Sequence, residues 1–397
     1  MVRSITLQNF KSFGAVQKVR LEDITVLVGP NNSGKSAFMS VARLFGNLLR
    51  TGRADEVLAA EGGSQALIHR PPFGDGKLLL RLASDSGRYT TSLQGWRNEL
   101  RATDEELTLQ NGRSAWVTNA HGLRELPGVN LPPHLPFGGL LAVRDDQQFA
   151  AFRQVYEPLA KARIVRLSLD ALRRDAPPLA DAPAGLSEDG GGLAQVLSLW
   201  RNGYPEKAEE LDAFISKKVL PEVAHVLVDP APMFFRGQPN PAGSLRLTIR
   251  QKDGQRFDAM QVSDGVLCFV ALAMHAIDLE PGSILFIEEP EIGIHPTRLH
   301  EVVDLLRQIV SARKAQVVIA THSRTVLNEF RDEPERIRVF RRSDCGTAVV
   351  ALTKLPKLED ALHRQTPGEL LEQGFFDLAF EQLGKEDLTT ADAEEAD

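Results

Sequence analysis

The chain has 397 residues, 43% hydrophobic and 25% charged, with a formal net charge of −7. That length supports a large core spread over two or three lobes, and ordinary glycine (31) and proline (23) contents exclude collagen-like and wholly disordered classes. Six acids and one lysine in residues 385–397 put −5 of the charge in a tail, so the body is close to neutral and bulk charge alone does not recruit nucleic acid. No stretch nears the ~20 apolar residues of a membrane span, the N-terminus lacks a signal-peptide core, and two cysteines, Cys268 and Cys345, frame neither metal nor disulfide. A reducing, cytoplasmic setting without membrane is expected.

In chain order, Ile5, Leu7 and Phe10 form one β-like run and Val19 and Leu21 another. Residues 24–28, ITVLV, predict a buried strand that runs into GPNNSGKS and a helical pattern over 36–49. Residues 51–75 read as loops. Residues 77–93 and 106–118 predict antiparallel hairpins, and 121–140 are rich in proline and glycine. From 149 to 227 the pattern is mostly helical, broken by a loop over 177–192. Strands are expected over 244–251 and 255–262, a helix over 262–279, and buried strands over 283–287 and 316–320 with a helix at 296–312 between them. Strands at 337–342 and 347–355, a helical segment and the acidic tail close the chain. In that segment Leu370, Leu371, Phe375, Leu378 and Ala379 fall on one helical face, with Phe376 beside them, either as plain core or as a docking surface. The tail itself reads as a solvated charge run.

The strongest chemical signal is Gly29-Pro30-Asn31-Asn32-Ser33-Gly34-Lys35-Ser36, a full G-x-x-x-x-G-K-[ST] match between a buried strand and a helix. Glycines let backbone N–H groups close around phosphate oxygens, and the helix N-terminus adds the positive end of its dipole. Lys35 would reach the β- and γ-phosphates of a nucleotide and the Ser36 hydroxyl would ligate Mg²⁺. A second signal is Ile284-Leu285-Phe286-Ile287-Glu288-Glu289, a buried strand delivering two carboxylates at its carboxyl end. One can hold a metal shell and the other orient a water for attack. A third is Thr321-His322-Ser323, again after a buried strand; a lone histidine is more often structural, but its place at a strand end favours a γ-phosphate contact. The fourth is Ser263-Asp264-Gly265 before an apolar helix, which by itself reads as an N-cap.

Together these motifs resemble the head of an ABC-type ATPase: phosphate loop, long insertion, S-x-G at a helix start, four apolar residues then Glu-Glu, then Thr-His-Ser. The S-D-G form, LQNFKSFG near the start and EEPEIGIHP after the acids resemble the RecF, SMC and OLD-like group. The expected fold is accordingly α/β, a P-loop NTPase with an ABC-type head, an antiparallel β subdomain and a mostly helical insertion. The expected divisions are an N-terminal ATPase lobe at 1–120, the insertion at 121–240, a C-terminal ATPase lobe at 241–355, a helical segment at 356–384 and a disordered tail at 385–397.

The resemblance implies an ATP hydrolase using ATP and Mg²⁺, with Gly29, Asn31, Asn32, Ser33, Gly34, Lys35 and Ser36 around the nucleotide. It implies Ser36 and Glu288 at the metal, Glu289 as catalytic base and His322 as switch. Ser263 and Gly265 would act on ATP held by a second subunit, giving a homodimer closed by two ATP molecules. Lys11 and Ser12 match a basic loop near the nucleotide, and Gln65 is the candidate for the glutamine of the Mg²⁺ shell.

A transporter motor is disfavoured by the S-D-G form and the ~200-residue insertion, and an SMC head would need coiled-coil arms that 149–227 is too short and broken to make. That leaves a RecF/OLD-like ATPase of DNA repair or phage defence, with DNA and an effector protein acting in trans as its partners. No D-x-D nuclease centre is expected in the chain. The alternative is a module that uses ATP only to dimerise. Basic clusters at Arg336, Arg338, Arg341 and Arg342, and at Lys161, Arg163, Arg166, Arg173 and Arg174, either touch phosphates or are solvated faces, with the solvated reading as default.

Overall fold

The computed structural model describes residues 1–96, 99–112, 114–119, 122–124, 137, 140, 150–177, 185–219, 221–235 and 238–383. The chain divides into two compact units. Unit 1 comprises Met1–Arg163, Gly282–Phe286 and the chain from Ala315 onward; unit 2 comprises Ile164–Pro281 and Ile287–Lys314.

Unit 1 is built on two sheets. The first has the order β2-β1-β4-β5-β6-β7-β8, with β1 Val2–Gln8, β2 Gln17–Arg20, β4 Leu78–Ser84, β5 Gly87–Trp96, β6 Glu99–Leu109, β7 Ser114–Asn119 and β8 Gly122–Arg124. Its pairings are antiparallel throughout, as alternating strands joined by short turns require. The second runs β16-β15-β3-β14-β13, with β3 Ile24–Val28, β13 Ile284–Glu288, β14 Gln316–Thr321, β15 Ile337–Ser343 and β16 Gly346–Ala351. The central strand β3 pairs in parallel with both β14 and β15, and all five of its residues are buried. Buried on both faces, it must be a continuous apolar run, and ITVLV is one. The helix Lys35–Thr51 follows β3 and ends at Gly52, whose left-handed backbone lets its N–H close on the Leu48 carbonyl. Phe45 of that helix meets Tyr89 of β5 edge to face at 5.9 Å.

Unit 2 holds the helices Leu193–Gly203, Pro205–Phe214, Asp264–Ile277 and Leu299–Arg313 and a three-stranded antiparallel sheet. Its strands are β10 Val223–Phe235, β11 Gln238–Gln251 and β12 Arg256–Asp258. β9, Arg163–Val165, leads into the short helix Leu169–Leu172. From Val266 to Ile277 the helix Asp264–Ile277 is buried on every face, which explains its near-unbroken apolar sequence.

Several elements differ from the sequence expectation. Residues 51–75 carry helices at Ala54–Ala60 and Ser64–Leu67. These are too short for their periodicity to stand out among the glycines and prolines. The helical insertion stops earlier than 227, because residues 223–227 already belong to β10. The strand expected over 255–262 is only Arg256–Asp258, after which the chain turns toward the next helix. The C-terminal helical segment is three short helices, Leu358–Leu362, Pro367–Glu372 and Phe375–Glu381, the last two divided at Gly374 with φ 70°. That break resets the helical phase, so Leu370, Phe376, Ala379 and Phe380 are buried while Leu378 is 60% exposed. The tail expected over 385–397 lies outside the described residues.

Candidate functional site

In unit 1 the parallel register places two motifs at one sheet edge. Val28 pairs with Thr321 on one side and Val339 on the other, so the phosphate loop and His322 leave adjacent strands at the same end. Gly29 and Gly34 have φ of 154° and 107°, a region that favours glycine, and the loop continues through Asn32 at φ 64°. A Cβ on Gly29 would collide with the carbonyl of Phe340, and one on Gly34 with the hydroxyl of Thr347. The glycines thus serve packing against β15 and β16 as well as access to phosphate. Phe340 is also boxed by Phe13 and Phe38, edge to face at 6.4 and 6.0 Å, which ties the first turn of the helix to that strand.

Lys35 is 7% exposed and its ammonium lies inside the loop, donating to the carbonyls of Gly29 at 2.7 Å and Pro30 at 2.9 Å. A positive charge is therefore already held where an anion would meet it. The helix it opens has a glycine, Gly34, at its N-cap, so no N-cap side chain occupies its first N–H groups. Asn31, Asn32 and Ser36 are exposed, and Ser33 is buried beneath them. This is a cradle that fits a polyphosphate. Ser36 in the first helical turn presents an exposed oxygen, the donor type that Mg²⁺ takes.

Ser12 stands directly against this loop. Thr347, 2% exposed, hydrogen-bonds the Ser12 hydroxyl at 2.8 Å and the Ser33 carbonyl at 3.0 Å. Thr347 is the donor toward both, its single hydroxyl proton shared between the two oxygens. Sequence reasoning missed Thr347, which lies 335 residues from Ser12 with no motif around it. Lys11, at φ 50°, turns away to a 2.8 Å ion pair with Glu61. The Gln65 carbonyl accepts from Arg70. His322 is half-buried just before the short helix Arg324–Asn328, whose N-cap bond is supplied by the Ser323 hydroxyl.

Unit 2 assembles the other motifs. The last two residues of β13, Ile287 and Glu288, lead into a turn in which Glu289 has φ 52°. A left-handed backbone at a glutamate costs on the order of 1–2 kcal/mol and is the kind of strain found where a side chain must be aimed. Glu288 is 12% exposed and its carboxylate pairs with Arg166 at 3.3 Å. The turn continues to Gly293, where an added Cβ would stand 3.2 Å from both Asp264 and Cys268. Gly265 faces the Gly293 carbonyl, 3.1 Å from where its own Cβ would be. The acid-pair turn and the Ser263-Asp264-Gly265 turn therefore pack glycine to glycine. Ser263 occupies the N-cap position of Asp264–Ile277, but its side chain makes no cap bond and is exposed. Its carbonyl accepts the ordinary first bonds of the helix, from Val266 and Leu267. Burial, aided by Asp264, pushes the Cys268 thiol below this turn up to about 12, so it stays protonated.

Much of the basic residue set is internally paired. Arg336 binds Asp23 and Glu333; Arg338 is buried and binds the Arg20 carbonyl and Glu22; Arg341 binds Glu381. Arg173 binds Asp264 at 2.5 Å, and Lys161 binds Glu157 at 2.9 Å. The four arginine side chains are largely withdrawn from water, which corrects the expectation of solvated faces for them, whereas Lys161 pairs at the surface in keeping with that expectation. Among the described residues no group of three or more His, Cys, Asp or Glu gathers as a metal cage, and no helix is long and apolar enough to cross a membrane.

Residues 144–328 match the family model described as "AAA domain, putative AbiEii toxin, Type IV TA system", and residues 1–65 match "AAA ATPase domain". No curated protein matches the sequence. Among solved structures, the chain is similar to an SMC head bound to the C-winged helix domain of ScpA. The identity is 14%, the coverage 88% of this chain and 96% of that one, and the TM-score 0.50. The SMC head domain from Thermotoga maritima gives 15% identity, 88% and 98% coverage and a TM-score of 0.45. An SMC head from Pyrococcus furiosus, bound to the C-terminal domain of ScpA, gives 12%, 91%, 99% and 0.47. The braced phosphate loop lies in the segment matched by one AAA model, and the S-x-G and acid-pair turns lie in the segment matched by the other, so the chain carries the ABC-type P-loop ATPase fold.

Proposed function

We propose that this chain hydrolyses ATP as a homodimer closed by two ATP molecules, each held by the phosphate loop of one copy and the Ser263-Asp264-Gly265 turn of the other. Lys35 and the loop N–H groups bind the phosphates. Ser36 and Glu288 would hold Mg²⁺, which supplies charge neutralisation on the phosphates when bound. Glu289 orients and deprotonates the attacking water, and His322 senses the γ-phosphate from the neighbouring strand end. The observation that carries the dimer is Ser263: it sits where a helix cap should be, yet its hydroxyl is exposed and makes no cap bond. A polar group left outward at the positive end of a helix suits an anion from outside the subunit.

The output we assign is a DNA-associated process, repair or phage defence, exerted through a separate effector protein. That part rests on the RecF- and OLD-like motifs. The toxin of a type IV toxin–antitoxin system in the matched family description favours defence. Sedimentation in the Glu289→Gln background tests the dimer: ATP with Mg²⁺ should convert monomer to dimer. Lys35→Ala protein mixed with Ser263→Arg protein should recover partial turnover, because one composite site is then intact. A monomer at saturating ATP and Mg²⁺ refutes the reading.

A further inference from the structure

The turn that presents Ser263 is held by one side chain. The Arg173 guanidinium donates to the carbonyl of Ala259, to the carbonyl of Val262 at 3.0 Å and to the Asp264 carboxylate at 2.5 Å. It thus grips the approach to the turn, the residue before Ser263 and the residue after it. The Arg173 side chain is 23% exposed against 45% for Asp264, so most of the guanidinium is withdrawn from water while its carboxylate partner is half in it. Arg173 is itself fixed. It follows the short helix Leu169–Leu172, and its N–H closes on the Leu169 carbonyl at 3.2 Å. Two residues on, Asp175 binds Arg246 through both carboxylate oxygens at 2.6 Å, and Ala176 exchanges backbone bonds with Leu245 at 2.8 and 2.7 Å. Arg246 also reaches Asp258 at 3.2 Å, where the same turn begins. The segment 169–176 is therefore a strap anchored on β11, with Arg173 as its contact with the Ser263 turn.

We propose that Arg173 is a positioning residue for Ser263: by fixing the backbone on both sides of it, Arg173 holds the serine hydroxyl outward for the terminal phosphate of a nucleotide bound by a second copy of this chain. The inference rests on the dimer reading above and adds the residue that makes its trans contact. Three acceptors in different directions demand a planar fork; a lysine ammonium cannot span them on one stem.

The test uses the full chain in the Glu289→Gln background with Arg173→Lys, Arg173→Ala and Asp264→Asn. Affinity for a fluorescent ATP analogue at low protein concentration reads the phosphate loop; sedimentation with ATP and Mg²⁺ reads the dimer. Arg173→Ala should bind nucleotide within about twofold of its parent while its dimer dissociation constant rises about tenfold or more. Arg173→Lys should recover part of that loss, and Asp264→Asn should show a smaller loss of the same kind. If Arg173→Ala does not fold, the lysine and asparagine variants decide. Variants that dimerise as well as the parent, or lose nucleotide affinity in step with dimerisation, overturn the assignment. A parent that stays monomeric refutes the sandwich, and Arg173 with it; a dimeric parent beside equally dimeric variants refutes Arg173 alone.

Discussion

Thr347 offers a sharp test of how the phosphate loop is held, because it touches the loop without belonging to it. Replacing it by valine keeps the shape and the β-branch and removes only the hydroxyl. The Ser33 carbonyl and the Ser12 hydroxyl lose their shared donor, at 3.0 and 2.8 Å, from a position 2% exposed. A buried polar group left without a partner costs about 1–3 kcal/mol, and water cannot easily replace the lost bond here. The free loop can relax away from the lost bond and must return to bind phosphate, so ATP affinity should drop by about 5- to 100-fold, while the global stability of the free protein falls by less than the full ~1–3 kcal/mol. Thr347→Ser retains the hydroxyl and should recover most of the affinity. Calorimetric titration with ATP and urea denaturation check both quantities. A valine variant that binds ATP within twofold of the parent would show that the loop holds its shape without this brace.

The strained backbone at Glu289 predicts a separation of stability from activity: Glu289→Gly should keep or gain thermal stability, by up to about 1 kcal/mol, while losing turnover. A clear loss of stability would mean that the φ of 52° is not strained. Tyr89 gives a pH dependence. Burial, then the charge of Glu105 to which it donates at 2.8 Å, raises its phenol well above the usual value, so the fold holds the neutral form. Its contribution is complete below an unfolded pKa of about 10 and is lost as pH rises from there toward the folded value. Urea midpoints should therefore fall from about pH 10 upward, and less steeply in Tyr89→Phe; equal slopes would contradict the cause.

The parts of this molecule written in contiguous residues were legible from sequence. ITVLV followed by GPNNSGKS specifies a buried strand, a glycine-shaped turn and a helix within thirteen residues, and the structure has all three. The ABC-type fold followed from the order of four such local motifs. What was not legible depends on distant register. Thr347 meets Ser12 only because β15 lies beside β3 and β16 beside β15, and nothing in TAVV records that pairing. Arg173 looked like one cation of a surface cluster because its carboxylate partner is 91 residues away. The apolar face expected at Leu371 and Leu378 failed for a local reason, a single left-handed glycine that shifts the phase of the last helix.

The central claim, that this chain hydrolyses ATP with Glu289 as its base, is tested most directly by measuring phosphate release and ATP affinity side by side for the parent and Glu289→Gln. The account predicts Mg²⁺-dependent turnover by the parent, and a variant that binds ATP within a few-fold of it but turns over slower by a factor of about 10² or more. Phosphate release by Glu289→Gln at close to the parent rate would contradict the assignment, and a parent that binds ATP without releasing phosphate would place the chain among modules that use ATP only to assemble.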